Sequence, residues 1–233
     1  MGVYNENRDN NNSIHDEIRE QNAKLKNASF KEKLAYFKEY YLKTTIIIVI
    51  AAIAGIHIIY SMVTAPKDTA FSAYFFNNAG YVTDNSLIDN FASHMDIDTK
   101  KHSVFIDSTI YLNPTSTDFN SVASVQKTAA AISTNDLDII AGDTTVIDFF
   151  AKDGYFYDVT ELLPEETCAK FADNFYYAKN DEDKLIPVGI YVKDAPMLKK
   201  YNYYTDQEPV LCFVINSNSI DNAIEFFNYI YTE

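Results

Sequence analysis

The stretch DLDIIAGDTTVIDFFAKDGYFYDV, residues 136–159, changes its hydrophobic period partway along. Leu137–Ala141 is a short apolar strand, ended by Gly142-Asp143. Thr144–Lys152 follows as a helix, and Gly154 supplies the stop signal. Upstream, Ala70–Phe76 and His102–Leu112 carry the β-branched and aromatic content of strands. Between them, Asn85–His94 has helical spacing through Leu87, Ile88 and Phe91. Asp118–Ile132 is an alanine-rich helix that Asp118 can cap. The order β-α-β-α-β-α predicts a three-layer α/β fold around a mostly parallel, mixed sheet. Downstream, Leu185–Val192 and Pro209–Ile215 read as further strands and Asn180–Lys184 as a charged hairpin tip. Ser219–Ile230 closes the chain as a helix with Ile220, Ala223, Ile224, Phe227 and Ile230 on one face.

Ahead of this α/β region lies TTIIIVIAAIAGIHIIYSMV, residues 44–63, without a single Asp, Glu, Lys or Arg. An α-helix needs ~20 residues to cross ~30 Å of hydrocarbon, so this segment is long enough to span a bilayer. A cleaved signal peptide would have a short leader and a shorter apolar core. Here forty-three residues come first, and Pro66 would follow the only small-residue cleavage pattern, so the segment reads as an uncleaved anchor. Lys24, Lys26, Lys31, Lys33, Lys38 and Lys43 precede it while Lys67 alone lies close after it. The positive-inside rule then puts the N-terminus in the cytoplasm and the C-terminal domain outside the cell. Tyr40, Tyr41 and Tyr60 suit the two interfacial aromatic belts.

The remaining segments follow from these boundaries. Residues 1–28 are polar and low in complexity, the composition of a disordered tail. Residues 29–43 open with the capping box Ser29-Phe-Lys-Glu32 and continue with Phe30, Leu34, Phe37 and Tyr41 at helical spacing. That is a basic amphipathic juxtamembrane helix, either lying on the inner leaflet or running straight into the span, its lysines solvated and setting topology. Residues 64–69 form a linker and 70–233 the outer domain. Within the span, His57 is an ionisable group near the outer end, and Ala51 and Gly55 make a small-xxx-small pair that lets two helices approach.

Charge narrows the range of partners. The net charge is −14: residues 1–43 hold eight Lys/Arg and seven Asp/Glu, whereas the chain after residue 63 holds eleven and twenty-six. Such an acidic outer domain repels phosphate backbones, which excludes nucleic acid as its main partner. The lipid bilayer, through residues 44–63, is the partner the sequence does specify. Another membrane or cell-surface protein and a small-molecule ligand stay open.

Few residues carry recognisable chemistry. His94, Asp96, Asp98, His102 and Asp107 gather His and carboxylate side chains, but their spacing matches no metal loop, and a solvated helix-to-strand connection accounts for them. Asn180–Asp183 is a wet turn by the same reasoning. Cys168 and Cys212 read as two separate thiols packed as small apolar residues, with a disulfide the alternative in an oxidising compartment. No nucleophile elbow, phosphate loop, metalloprotease helix or dinucleotide turn is present, so no catalytic residue, cofactor or metal is assigned. In open α/β sheets ligands bind at the carboxyl ends of the strands, which singles out Gly142, Asp143 and Thr144, with Tyr191 as an aromatic wall. The competing reading is that Gly142-Asp143 turns the chain and caps the next helix.

DLDIIAGDTTVIDFFAKDGYFYDVTELLP, residues 136–164, resembles the segment of type-2 extracellular solute-binding proteins in which a strand, a helix and a glycine-aromatic-aspartate phrase follow one another. KLIPVGIYV, residues 184–192, is similar to the strand completing the first lobe of those proteins. The arrangement of FKEKLAYFKEYYLK before a single span also resembles uncharacterised membrane-anchored ectodomains of Gram-positive bacteria. The resemblance implies a periplasmic-binding-protein-like lobe, truncated because the ~165 residues available leave no room for a second one. The expected function is a non-enzymatic, membrane-tethered extracellular binding or protein-interaction module. An extracellular solute receptor assisting a transporter is the alternative, and a cell-surface hydrolase a distant third.

Overall fold

A computed structural model of the chain describes Arg19, Ala23, Lys26 and residues 28–64 and 68–232, the side chain of Tyr40 apart. It divides into two units, one ending at Thr64 and one beginning at Ala65. Nearly all of the expected tail and the middle of the expected linker, residues 65–67, lie outside the described residues.

The first unit contains α1 (Phe30–Tyr40) and α2 (Leu42–Thr64). Ser29 starts α1 with a complete capping box, its amide donating to Glu32 Oε2 at 2.8 Å while its hydroxyl accepts from the Glu32 amide at 3.4 Å. The twenty-three residues of α2 contain the apolar run 44–63, and none is buried. This helix is long and apolar enough to cross a membrane.

The second unit is an α/β fold. Its strands are β1 (Asp68–Phe75), β2 (His102–Asp107), β3 (Ile139–Gly142), β4 (Phe175–Lys179), β5 (Leu185–Tyr191) and β6 (Val210–Phe213). Its helices are α3 (Ser86–His94), α4 (Phe119–Ser133), α5 (Thr144–Ala151), α6 (Val159–Leu162), α7 (Glu165–Phe171), α8 (Pro196–Lys200) and α9 (Ile220–Ile230). The strands form one six-stranded sheet in the order β2-β1-β3-β6-β5-β4. Alternation along β1 shows why this is a three-layer structure. Phe71, Ala73 and Phe75 enter one apolar cluster with α3, α6, α8 and α9, while Tyr74 and Phe76 enter another with α4 and α5. The first layer is held by rings: Phe71, Phe91 and Phe226 meet pairwise at centroid distances of 4.6–5.2 Å.

The sheet is mixed, but it is not mostly parallel as the sequence suggests. β1 runs parallel to β2 and β3, whereas β3–β6, β6–β5 and β5–β4 are antiparallel. The turn at Asn180–Lys184 leaves β4 and β5 no choice but a hairpin. After β5 the chain crosses the sheet edge through α8 and returns as β6 between β3 and β5, running opposite to both. The second strand also ends earlier than expected. Residues beyond Asp107 turn across the sheet edge, where the Asn77 amide donates to the Ile110 carbonyl at 3.0 Å. Four short elements are absent from the sequence reading: β4, α6, α7 and α8. In β4 only Ala178 is buried, so its sequence lacks the apolar alternation of a covered strand.

The two cysteines are free. Cys212 is buried in the layer of α4 and α5, and Cys168 packs against the opposite layer, so the sheet itself separates them. Burial pushes both thiols above their ordinary pKa, with Asp158 and Glu165 reinforcing the effect at Cys168.

Candidate functional site

The connections out of β1 and β2 set the position of the site. β1 leads through α3, on one face, to β2 at the edge, and β2 leads through α4, on the other face, back to β3 on the far side of β1. The carboxyl ends of β1 and β3 therefore lie where the winding reverses, the crevice in which open α/β sheets bind ligands. Gly142 ends β3 there, close enough that a Cβ on it would stand 3.2 Å from Phe76 Cβ. Asp143 follows as the N-cap of α5, and Thr144 is the first helical residue.

The polar groups of this crevice are engaged with one another. Asp143 Oδ1 accepts from the amides of Thr145 at 3.0 Å and Val146 at 3.2 Å and from the Thr145 hydroxyl. Its Oδ2 accepts from Asn77 Nδ2 at 2.7 Å. Burial acts to raise the Asp143 pKa, but the hydrogen bonds from Asn77, Thr145 and Val146 outweigh it and hold the carboxyl below its usual range. Asn77 has a left-handed backbone, φ 53°, and exchanges two 2.9 Å hydrogen bonds with the backbone of Leu112. One asparagine thus fastens the loop after β2 to the cap of α5.

The crevice is closed by the chain's own β5–β6 connection. The Tyr204 hydroxyl lies 2.8 Å from the Ala141 carbonyl and 3.1 Å from that of Phe76, and its single proton bridges the ends of β3 and β1. Beside it, Gln207 donates through Nε2 to the Asn77 carbonyl at 2.9 Å and accepts from the Ala79 amide at 2.8 Å. Tyr204 itself is buried with φ 53°, an unusual backbone for a bulky side chain. A crevice of ≈ 530 Å³ remains on the outer side of this connection, lined by residues that include Lys193, Lys199, Tyr203 and Gln207. Lys193 and Lys199 are paired there with Glu208 at 2.5 Å and Asp194 at 2.8 Å.

Of the four residues singled out for ligand binding, three are contiguous and Tyr191 stands apart. Val210 of β6 pairs with Gly142 on one side and Tyr191 on the other, so the tyrosine is at the same end of the sheet but two strands away. It packs edge-to-face on Tyr176 at 5.6 Å, and Tyr176 donates to Asp148 Oδ1 at 2.7 Å. Burial, then the bond to Asp148, pushes the Tyr176 phenol up. Asp143 caps its helix, the plainer of the two sequence readings.

His57, Ala51 and Gly55 lie on α2, and a Cβ on Gly55 would meet nothing within 4 Å. The His/carboxylate cluster disperses: His94 meets Tyr229 in a tilted ring contact at 5.1 Å, Asp98 pairs with Lys101 at 3.0 Å and Asp107 with Lys127 at 2.5 Å. Asp183 pairs with Lys179 at 2.7 Å within the hairpin. Among the described residues no three His, Cys, Asp or Glu side chains gather as metal ligands.

A second feature escaped the sequence reading. Leu112, Pro114, Val122, Val125 and Phe149 line a mainly apolar groove of ≈ 360 Å³ between the loop after β2, α4 and α5. Phe119, one turn before Val122 on α4, is 85% exposed. Two hydrogen bonds tie the loop after β2 to α4: Ser124 Oγ donates to the Tyr111 carbonyl at 2.7 Å, and Asn113 donates its amide to Ser121 Oγ at 3.1 Å. The apolar residue directly after the Asp118 cap was its one legible sign. No protein-family model, curated protein or solved structure matches the chain.

Proposed function

We propose that this chain is a non-enzymatic binding or protein-interaction module held at a cell membrane by α2, with its tail in the cytoplasm and its α/β unit outside. The reading takes the unit as a single lobe of the solute-binding-protein type, used for contact rather than for closure over a solute. The observation that carries it is the apolar groove beside exposed Phe119, since an aromatic residue left in water next to an apolar recess is the pattern of an interaction surface. Self-engagement of the polar groups at the reversal of winding points the same way, because the usual ligand crevice is filled by Tyr204 and Gln207. With eleven Lys/Arg against twenty-six Asp/Glu after residue 63, the favoured partner is a membrane or cell-surface protein presenting an apolar anchor within a basic surround.

The test places a photoreactive residue at Val122 of the full chain in its native membrane. A discrete cross-linked protein species that disappears with Phe119→Ser, while the melting temperature holds, is the expected result. Failure to form any such species would remove the support for this reading. The alternative, a solute receptor assisting a transporter, is favoured only by the ≈ 530 Å³ crevice. It calls for a solute that raises the melting temperature and whose effect is lost with Tyr203→Ala.

A further inference from the structure

The reading of α2 as a membrane span underlies a second surface, on α1. Phe30, Leu34, Phe37 and Tyr41 are all exposed, Phe30 at 81%, and their four-three-four spacing sets them along one side of the helix. At 3.6 residues per turn, Lys31 and Lys38 fall on one shoulder of that stripe and Lys33 on the other, with Glu32 and Glu39 behind. Helical hydrogen bonding continues from α1 into α2, the Tyr41 amide donating to Phe37 and the Tyr41 carbonyl accepting from Thr45, both at 2.8 Å. Tyr41, at the junction, keeps a right-handed helical backbone with φ widened to −114° and ψ −18°. The twenty-three residues of α2 reach ~34 Å at ~1.5 Å each, so they span ~30 Å of hydrocarbon without help from α1. α1 is then left at the membrane surface with an apolar face uncovered.

Two occupants fit that face, a second copy of the chain or lipid. A second copy has geometry in its favour, because the spacing runs on through Thr44, Ile48, Ala51 and Gly55. Charge opposes it: across a parallel seam Lys33 of one helix faces Lys38 of the other, and like charges at those flanking positions repel. Against an anionic leaflet the same lysines are complementary. Their stems cover the edge of the apolar face, their ammonium groups reach lipid phosphates, and Glu32 and Glu39 point to water. We propose that α1 is an interfacial helix that binds an anionic leaflet, with Phe30, Leu34, Phe37 and Tyr41 in the acyl boundary and Lys31, Lys33 and Lys38 on the phosphates.

The chain has no tryptophan, so one introduced indole reports on one place. Full-length protein carrying either Phe37→Trp or Ile50→Trp is reconstituted with acyl-chain-brominated lipid, in phosphatidylcholine alone or with phosphatidylglycerol. Quenching of Ile50→Trp in both lipids verifies the span independently; its absence would sink the membrane reading itself. The expected result for Phe37→Trp is quenching about threefold stronger with phosphatidylglycerol, falling to the neutral-lipid level in high salt or with Lys31, Lys33 and Lys38 all changed to Gln. Equal quenching in both lipids, or none while Ile50→Trp is quenched, overturns the proposal. So does efficient cross-linking of two copies through Leu34→Cys in phosphatidylglycerol vesicles, which would assign the face to a second chain.

Discussion

Asp138 and Asp143 are five residues apart and respond to pH in opposite senses. Asp138 is 2% exposed, where its Oδ2 accepts from the Ser72 amide at 2.6 Å and its Oδ1 from the Ser217 hydroxyl. Burial raises its pKa against the pull of those donors. The folded state therefore holds the Asp138 proton more tightly than the unfolded chain does. Its contribution to stability is complete below the ordinary carboxylate pKa and declines as pH rises through the raised value. Asp138→Asn, which keeps an acceptor for Ser72 and donates to Ser217, should remove that decline and leave the neutral-pH melting temperature equal or higher. Asp138→Ala strands the Ser72 amide and should cost about 1–3 kcal/mol. Asp143 has a lowered pKa, so its contribution is present above the ordinary carboxylate pKa and is lost as pH falls through the lowered one. Asp143→Ala should cost about 1–2 kcal/mol at neutral pH and progressively less in acid. Melting curves of the full chain across a pH series, followed by circular dichroism, check both aspartates, and parallel pH profiles for the two would contradict the assignment.

At the level of elements, β5 and β6 approach closely at Gly189. A Cβ on Gly189 would lie 2.5 Å from Cys212 Sγ and 2.7 Å from both the Leu211 carbonyl and Val210 Cγ1. Gly189→Ala should thus destabilise the unit by about 1–3 kcal/mol in chemical denaturation, with only partial rescue by Cys212→Gly because the carbonyl clash stays. Elements with a strong period were legible in the sequence. Asp118 does cap α4, accepting from the Ser121 amide at 3.0 Å, and Gly154 does take a left-handed φ of 71° after α5. β4 was not legible, because FYYAK sits at the sheet edge with one buried residue and looks like any polar-aromatic loop. The site was half legible. Gly142, Asp143 and Thr144 follow from strand-then-turn chemistry, but Asn77, Tyr204 and Gln207 reach them across more than sixty residues of sequence, and no local pattern encodes that meeting. The Asn77-Asn78 pair, one residue past the end of β1, was a turn signal that pointed to the right end of the sheet.

For the molecule as a whole, the sheet acts as a partition. Cys168 and Cys212 belong to different layers, so no internal disulfide can close without dismantling the fold. Intact mass after exposure to oxidant should show two free thiols. A maleimide should modify Cys212 only on unfolding, and rapid native labelling at that residue would refute the packing described here. The strand order has a mechanical meaning as well. β1 starts at Asp68, four residues past the end of α2, and its neighbours on both sides are strands, β2 and β3. Ser219 and Asn222 of the closing segment also bond to its first carbonyls, those of Thr69 at 3.2 Å and Ala70 at 2.7 Å. A pull at the start of β1 runs along the strand and loads its parallel ladder to β2, from Asp68 to Tyr74, in shear instead of peeling it open bond by bond.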